Sequence, residues 1–339
     1  MKVLLKWPLW LLALFSQGKS FKANPLIGSC LLNRIGMHAL RYTAAHAMTQ
    51  LRWWQLACFA TKEQKKVFHQ QGFMALENYL SDEQLQAARH EVLATDNDEI
   101  RECSQGDTLT QRILLDANAL ASRPVCRELL NNKNFNRLLK YAAASNSKPL
   151  FYIQRIKNGY GSGADPQKNL HSDTFHPCMK AWLFLEDVTP EKGPFTYVPG
   201  SQRFTMQRLK WEYVKSCHVR TQPDGYSEKG SFRVAEEALS ALKLPQPESL
   251  TVAANTLVIA NTHGFHARGA AATQARRLEI WIFSRSNPFN PFAGIDWPWM
   301  PGLRHRILRL FWQIQDKKAA KKGSRSSWHR ISARAFNEE

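Results

Sequence analysis

Short β-rich runs follow one another from residue 150 to residue 285 and limit the folds that this chain can adopt. LFYIQRIK at 150–157, KAWLFLED at 180–187 and RLEIWIFSR at 277–285 are typical of them. Glycine and proline separate the runs, for example at Gly159–Gly163 and Pro199–Gly200. Many short strands with such turns are typical of an antiparallel sandwich or jelly roll. We therefore expect a mainly β fold with helices, and further strands at 195–199 and 249–261.

Helical patterns dominate the chain before residue 150. Residues 37–60 predict a helix that is apolar on much of its surface. Residues 62–93 predict a helix, a short strand and a second helix that begins after Ser81 as its N-cap.

Residues 303–315 predict an amphipathic helix, and a basic tail that we expect to be disordered follows it. Other predicted elements are helical stretches at 116–122 and 124–143 and a long, partly helical insertion at 205–247.

His171 and Asp173 are the strongest chemical feature of the chain. They are two residues apart, so an extended backbone puts both side chains on one face. An imidazole and a carboxylate placed in this way can bind one metal ion, and a third ligand from elsewhere would complete a two-histidine, one-carboxylate triad. His176 is a weaker candidate because its odd spacing from Asp173 turns it to the other face.

Several blocks around this pair resemble the phytanoyl-CoA dioxygenase family of Fe(II)- and 2-oxoglutarate-dependent oxygenases. The blocks occur in the order of the family and cover roughly residues 70–290. The resemblance implies a double-stranded β-helix (a jelly-roll or cupin-like fold) with helices packed on one sheet. The matching segments are FYIQRIKN at 151–158, HSD at 171–173, KAWLFLEDV at 180–188, GPFTYVPGSQR at 193–203 and HARGAAATQARR at 266–277.

The resemblance also implies which side chains bind the metal. His171, Asp173 and a distal histidine would hold Fe(II). His266 opens an H-x-x-G pattern with Gly269, as the distal histidine of the family does, whereas His263 lacks that register. We therefore expect His266 as the third ligand and keep His263 as the alternative.

A second set of residues is expected to bind the cosubstrate. The family places an arginine on the strand after the distal histidine, and a planar guanidinium suits the far carboxylate of 2-oxoglutarate. The match is Arg277; one residue of slip would substitute Arg276. Gln154 aligns with a glutamine that lines the pocket in ectoine hydroxylase-like members, and Trp182 matches a tryptophan near the cosubstrate, although ordinary packing would also explain both.

The expected activity is hydroxylation of an aliphatic C–H bond of a small-molecule or lipid-linked substrate, using Fe(II), 2-oxoglutarate and O₂. Related halogenases lack the carboxylate ligand, so Asp173 favours hydroxylation. The alternative is an inactive barrel that acts as a membrane-associated binding or scaffold protein. The sequence does not identify the substrate or the oligomeric state.

Charge is concentrated at the two ends of the chain. Of the net +18, residues 1–70 carry +9 and residues 301–339 carry +7. The ends also carry apolar stretches with tryptophan, such as WPLWLLALF at 7–15, which is too short to span a bilayer. This combination suits an anionic membrane surface better than nucleic acid. The first segment would either anchor on the membrane or pack on the domain.

We therefore divide the chain into a basic and apolar segment at 1–60, the dioxygenase domain at 61–290, and a basic helix and tail at 291–339.

The six cysteines are scattered and form no CxxC motif, which is typical of a reducing compartment. A cytoplasmic protein bound peripherally to the inner face of the membrane is expected.

Overall fold

The computed structural model describes residues 6–95, 98–161 and 163–337, and antiparallel strands form its centre. Eight of the described strands form a large sheet in the order β1-β8-β5-β10-β4-β3-β2-β11, and three form a small sheet in the order β7-β6-β9. The strands are β1 Phe73–Leu76, β2 Ile100–Gln105, β3 Thr108–Leu114, β4 Leu150–Asn158, β5 Met179–Phe184, β6 Phe195–Tyr197, β7 Glu248–Leu250, β8 Thr256–Asn261, β9 His266–Arg268, β10 Arg276–Ser284 and β11 His329–Ile331.

The two sheets form the expected jelly roll. Aromatic side chains fill the space between them: Trp182 of the large sheet packs on Phe195 of the small sheet with ring centroids 4.5 Å apart. Tyr197 and Leu250 of the small sheet belong to the same buried cluster. Each run predicted from 150 onward contains a strand, but the run at 249–261 divides into β7 of the small sheet and β8 of the large sheet.

Alternation along the central strands separates the core from the cavity. On β10, Leu278, Ile280 and Ile282 lie on one face, in the main apolar core. Arg277 and Trp281 lie on the other face and line a cavity. This difference follows from the two-residue period of a strand. The large sheet therefore has an apolar face covered by helices and a polar and aromatic face turned toward the small sheet.

The helices agree with the sequence patterns in most places. Ser81 caps α5 through a capping box with Gln84, as predicted. Residues 116–122 form turns rather than the predicted helix, because the Asp116 carboxylate accepts hydrogen bonds from the Asn118 and Ala119 backbone. The helices are α1 Trp7–Leu14, α2 Cys30–Arg34, α3 Met37–Gln55, α4 Lys62–Gln71, α5 Asp82–Leu93, α6 Pro124–Asn131, α7 Lys133–Ala142, α8 Met206–His218, α9 Glu237–Ala241, α10 Met300–Ala320 and α11 Ala333–Asn337.

The N-terminal segment packs partly on the body. Arg41 of α3 is buried and donates hydrogen bonds to the backbone carbonyls of Leu14 (2.8 Å) and Gly18 (2.7 Å), just after α1. α8, within the predicted insertion at 205–247, packs against α2 and α3. By contrast, no residue of α1 is buried.

The C-terminal tail is ordered through Asn337, so the expectation of disorder was wrong. The buried guanidinium of Arg101 is one contact that holds the tail: it pairs with Asp316 of α10 at 2.8 Å and donates a 2.8 Å hydrogen bond to the Trp328 carbonyl. β11 then pairs with β2 at the edge of the large sheet. Among the described residues, none of the helices combines the length and hydropathy needed to cross a bilayer.

Candidate metal centre

His171 and His266 are direct cross-strand neighbours beside the small sheet. Their backbones exchange two hydrogen bonds, each 2.9 Å long, and their ring centroids are 4.4 Å apart. Partners that exchange both hydrogen bonds project their side chains on the same face. Residues far apart in the sequence therefore present their imidazoles side by side.

The tautomers of both histidines leave one nitrogen free for a ligand. His171 Nδ1 donates to the Asn169 carbonyl at 2.8 Å, and His266 Nδ1 donates to the Gly264 carbonyl at 2.9 Å. Within the described residues, both Nε2 atoms are buried and have no hydrogen-bond partner. A backbone carbonyl on Nδ1 and an open Nε2 lone pair is the arrangement found in metal-binding histidines.

Asp173 supplies a carboxylate to the same point. Its Oδ1 lies 3.9 Å from His171 Nε2 and 3.8 Å from His266 Nε2. One ligand atom from each of the three residues can be chosen so that all lie within 4.8 Å of one another. The three donors fit a hard or borderline divalent metal of the kind that two histidines and a carboxylate bind.

The electrostatics keep these groups in the protonation states that a metal needs. Burial lowers the pKa of His171 and lowers that of His266 to about 4, so both rings are neutral at pH 7. Burial alone would raise the pKa of Asp173, but Lys180, with Nζ 2.6 Å from Oδ2, holds that pKa well below its usual range. Neutral imidazoles and an ionised carboxylate are the metal-binding forms.

The centre opens into a cavity of about 250 Å³ between the two sheets. The six residues that the sequence analysis selected as site residues all line it: His171, Asp173, His266, Arg277, Gln154 and Trp182.

Residues 68–253, more than half of the chain, match the family model described as phytanoyl-CoA dioxygenase (PhyH). The chain belongs to the phytanoyl-CoA dioxygenase family. The match includes His171 and Asp173 and ends before His266, so the third position rests on the geometry above. This is a family of Fe(II)- and 2-oxoglutarate-dependent oxygenases, and the centre has the donor set that such iron requires.

Several solved structures resemble the chain more distantly. The α-ketoglutarate-dependent epimerase SnoN from nogalamycin biosynthesis is 16% identical with a TM-score of 0.40, covering 67% of this chain and 82% of its own. HygX from Streptomyces hygroscopicus, solved with nickel and 2-oxoglutarate, is 18% identical with a TM-score of 0.40, covering 66% and 86%. AviO1 from Streptomyces viridochromogenes is 16% identical with a TM-score of 0.40, covering 67% and 96%. No curated protein matches the chain.

The structure separates the alternatives that the sequence left open. His263 points away from the candidate metal centre. Its Nδ1 bonds to the Thr174 carbonyl at 2.8 Å, and its Nε2 lies 3.3 Å from His46 Nε2 of α3. His176 lies outside the ligand cluster, and its Nδ1 bonds to the Pro177 carbonyl. Arg276 turns outward to the Tyr160 hydroxyl at 2.8 Å, whereas Arg277 is buried on the cavity side.

Arg277 has an acidic neighbour that sequence reasoning missed. Its Nε lies 2.6 Å from Glu279 Oε2, and Nη1 donates to the Gly193 carbonyl at 2.5 Å. The Glu279 carboxylate also accepts a 2.5 Å hydrogen bond from Gln154 Nε2. Gln154 and Glu279 are partners in the register of β4 and β10, so alternation along β10 was the available signal.

Gln154 connects this pair to a second arginine, Arg112. Gln154 Oε1 accepts a 2.7 Å hydrogen bond from Arg112 Nε. Arg112 lies on β3, outside the blocks that the sequence analysis selected. A signal was present: Gly106–Asp107 between Gln105 and Thr108 is a two-residue hairpin turn, and alternation then places Thr108, Thr110 and Arg112 on one face.

Proposed function

We propose that this chain is an Fe(II)- and 2-oxoglutarate-dependent dioxygenase that hydroxylates an aliphatic C–H bond of a small-molecule or lipid-linked substrate. The observation that carries the proposal is the pair of buried, unpartnered Nε2 atoms of His171 and His266 beside the Asp173 carboxylate. Buried polar atoms without a hydrogen-bond partner are uncommon in native proteins, so each one needs an explanation. A metal ion bound by all three residues would provide it.

In the proposed mechanism, the chain fixes the geometry of the metal site. The Asn169 and Gly264 carbonyls orient the two imidazoles, and the backbone pairing of His171 with His266 fixes their separation. Lys180 keeps the Asp173 carboxylate ionised and holds its second oxygen at 2.6 Å. His171, Asp173 and His266 would hold the metal at the cavity wall, where it could also bind the cosubstrate.

Arg277 is the proposed anchor for the far carboxylate of 2-oxoglutarate. It lies on the cavity face of β10, and the Glu279 and Gly193 contacts hold its guanidinium in place. A charged hydrogen bond in a partly buried site is stronger than one in water. Trp182 and Phe195 pack on each other and give the same cavity an apolar part of its wall.

When bound, iron in such a site supplies the oxidative decarboxylation of 2-oxoglutarate by O₂ and the oxidation of a substrate C–H bond. The residues determine which outcome is favoured. Related halogenases lack this carboxylate, so the presence of Asp173 favours hydroxylation over halogenation in this proposal.

The test is conversion of 2-oxoglutarate to succinate by the full-length protein supplied with Fe(II). Slow succinate formation without the true substrate is expected, and Asp173→Ala should abolish it. If the protein binds Fe(II) at one equivalent yet forms no succinate, the alternative of an inactive, membrane-associated scaffold would replace the oxygenase.

We also propose that the protein binds peripherally to the cytoplasmic face of an anionic membrane. Several large apolar side chains of α1 are exposed, with Leu9 and Leu12 each 65% accessible, whereas Trp10 and Leu14 are half-buried. On α10, Ile307 and Leu310 of the predicted apolar stripe are also exposed, at 57% and 56%. Exposed apolar helices at two strongly basic ends fit a lipid surface. A lipid-linked substrate would be reached there.

A further inference from the structure

Arg112 is an arginine of the cavity wall whose guanidinium lies close to two tryptophan rings. Its guanidinium carbon lies 3.6 Å from the ring centroid of Trp281 and 4.7 Å from that of Trp328. Its Nε donates to Gln154, a neutral partner. The two indole faces and the glutamine hold the guanidinium in one position, so its Nη groups are available at a fixed place on the wall.

The other cations of the cavity wall are each paired with a carboxylate. The pairs are Lys180 with Asp173 (2.6 Å), Arg277 with Glu279 (2.6 Å) and Arg268 with Asp165 (2.7 Å). None of the ion pairs among the described residues includes Arg112. Within the part of the chain that the structure describes, Arg112 therefore has no carboxylate partner of its own, and the Glu279 carboxylate that attracts it is already paired with Arg277.

Iron and the cosubstrate would not balance this charge either. Fe(II) carries two positive charges and 2-oxoglutarate carries two negative charges, so the pair is neutral as a unit. Burial lowers the pKa of Arg112 to about 10, which leaves it charged at neutral pH. A partly buried cation without an anion is unfavourable, and an anionic ligand would compensate it.

We propose that Arg112 is a substrate-binding residue that takes an anionic group of the substrate, a carboxylate or a phosphate monoester. The inference rests on the proposed function, since it assumes that the same cavity holds the metal and 2-oxoglutarate. Two Nη groups in a plane suit two oxygens of either anion. Trp281 and Trp328 would pack on the carbon skeleton next to the anion, and the hydrogen bond from Arg101 to the Trp328 carbonyl is one of the contacts that hold Trp328 at the cavity.

The binding test uses two probes that differ in charge and little else, benzoate and benzamide. Isothermal titration of each into the metal-free, full-length protein measures binding without any turnover. Benzoate should bind at least tenfold more tightly than benzamide, and Arg112→Gln should remove that preference. Arg276→Gln is the matched control, because it removes an arginine outside the cavity. Phenyl phosphate is the third probe and separates a phosphate site from a carboxylate site.

A second measurement separates substrate binding from cosubstrate binding. The apparent constant for 2-oxoglutarate in succinate formation should stay within about twofold in Arg112→Gln. If that constant rises tenfold or more while benzoate binding is unchanged, Arg112 anchors 2-oxoglutarate and the proposal is wrong. Equal binding of benzoate and benzamide to the parent protein would also overturn it. Absence of succinate formation would overturn the proposed oxygenase alone, because the titration needs neither metal nor turnover.

Discussion

His171 and His266 exchange both backbone hydrogen bonds, at 2.9 Å each, and this pairing determines the separation of the two imidazoles. The ligands thus meet through strand register and not through proximity in sequence. A slip of one residue would turn the His266 side chain to the opposite face. The proposed metal centre therefore depends on the pairing of the small sheet as much as on the residues themselves.

Metal binding should depend on this pair and on Asp173. Replacing any of His171, Asp173 or His266 by alanine leaves two ligands, and the affinity for Mn(II), a stand-in for Fe(II), should fall at least tenfold. Electron paramagnetic resonance of free Mn(II) measures the affinity directly. His263→Ala is the matched control and should bind normally, since His263 faces α3. Normal binding in His266→Ala with loss in His263→Ala would transfer the ligand role.

Cosubstrate binding should depend on Arg277 and not on Arg276. Loss of a charged hydrogen-bonded pair in a partly buried site costs on the order of 2–5 kcal/mol. Arg277→Gln should therefore raise the apparent constant for 2-oxoglutarate tens-fold or more, with Mn(II) affinity unchanged, while Arg276→Gln has no effect. Steady-state succinate formation at varied 2-oxoglutarate measures it. An equal rise in both variants would refute the assignment.

Stability must be separated from binding in that experiment. Arg277→Gln leaves the buried Glu279 carboxylate without its cation, and breaking such a pair costs about 3–5 kcal/mol. The double variant Arg277→Gln, Glu279→Gln removes both charges and should regain most of the lost stability. The raised 2-oxoglutarate constant should persist in it, because the guanidinium is still absent.

The sequence predicted the elements whose pattern is local. The strands from 150 onward, the Ser81 cap and the shared face of His171 and Asp173 all follow from spacing over a few residues. The family resemblance selected His266 and Arg277, and the structure brings both to the cavity. Periodicity alone did not distinguish Arg277 from Arg276, because each lies on a regular face of the same strand.

The features that the sequence did not predict depend on tertiary contacts. The tail after α10 is basic and polar, which favours disorder, yet Arg101 contacts both Trp328 and Asp316, and β11 pairs with β2 at the sheet edge. Arg112 was overlooked for a different reason. Its importance comes from the rings and amide that surround it, and none of these is near it in sequence.

Stability should fall at mildly acidic pH because buried histidines must remain neutral. Burial lowers the pKa of His46 to about 3, compared with an ordinary value of 6.5. Between these values the unfolded chain binds the extra proton, so the free energy of unfolding decreases as pH falls, by up to ~1.4 kcal/mol per pH unit for this group. His171, His176 and His263 shift in the same direction.

His46→Gln should reduce that pH dependence. Urea unfolding at pH 5, 6 and 7 gives the slope of the free energy of unfolding against pH. The slopes of the variant and the parent protein are compared, because the substitution also changes stability at every pH. We expect the slope of His46→Gln to be shallower by up to ~1.4 kcal/mol per pH unit. His218→Gln removes an exposed histidine and should leave the slope of the parent protein. A parallel curve for His46→Gln would show that His46 is not held neutral.

Membrane binding should depend on the exposed face of α1. Leu9 and Leu12 contact little of the protein, so Leu9→Ser with Leu12→Ser should leave folding intact and reduce partitioning by tenfold or more, from a loss of about 2 kcal/mol or more of apolar burial in lipid. Flotation of the full-length protein with anionic and with neutral vesicles measures this effect. Val67→Ser with Leu93→Ser is the control, because both side chains are exposed elsewhere on the body.

Binding to anionic vesicles should exceed binding to neutral ones and should weaken with salt, since the basic ends add about 1 kcal/mol per residue near the surface. Equal flotation of the α1 variant and the control, or equal flotation with both kinds of vesicle, would exclude an electrostatic anchor that includes α1.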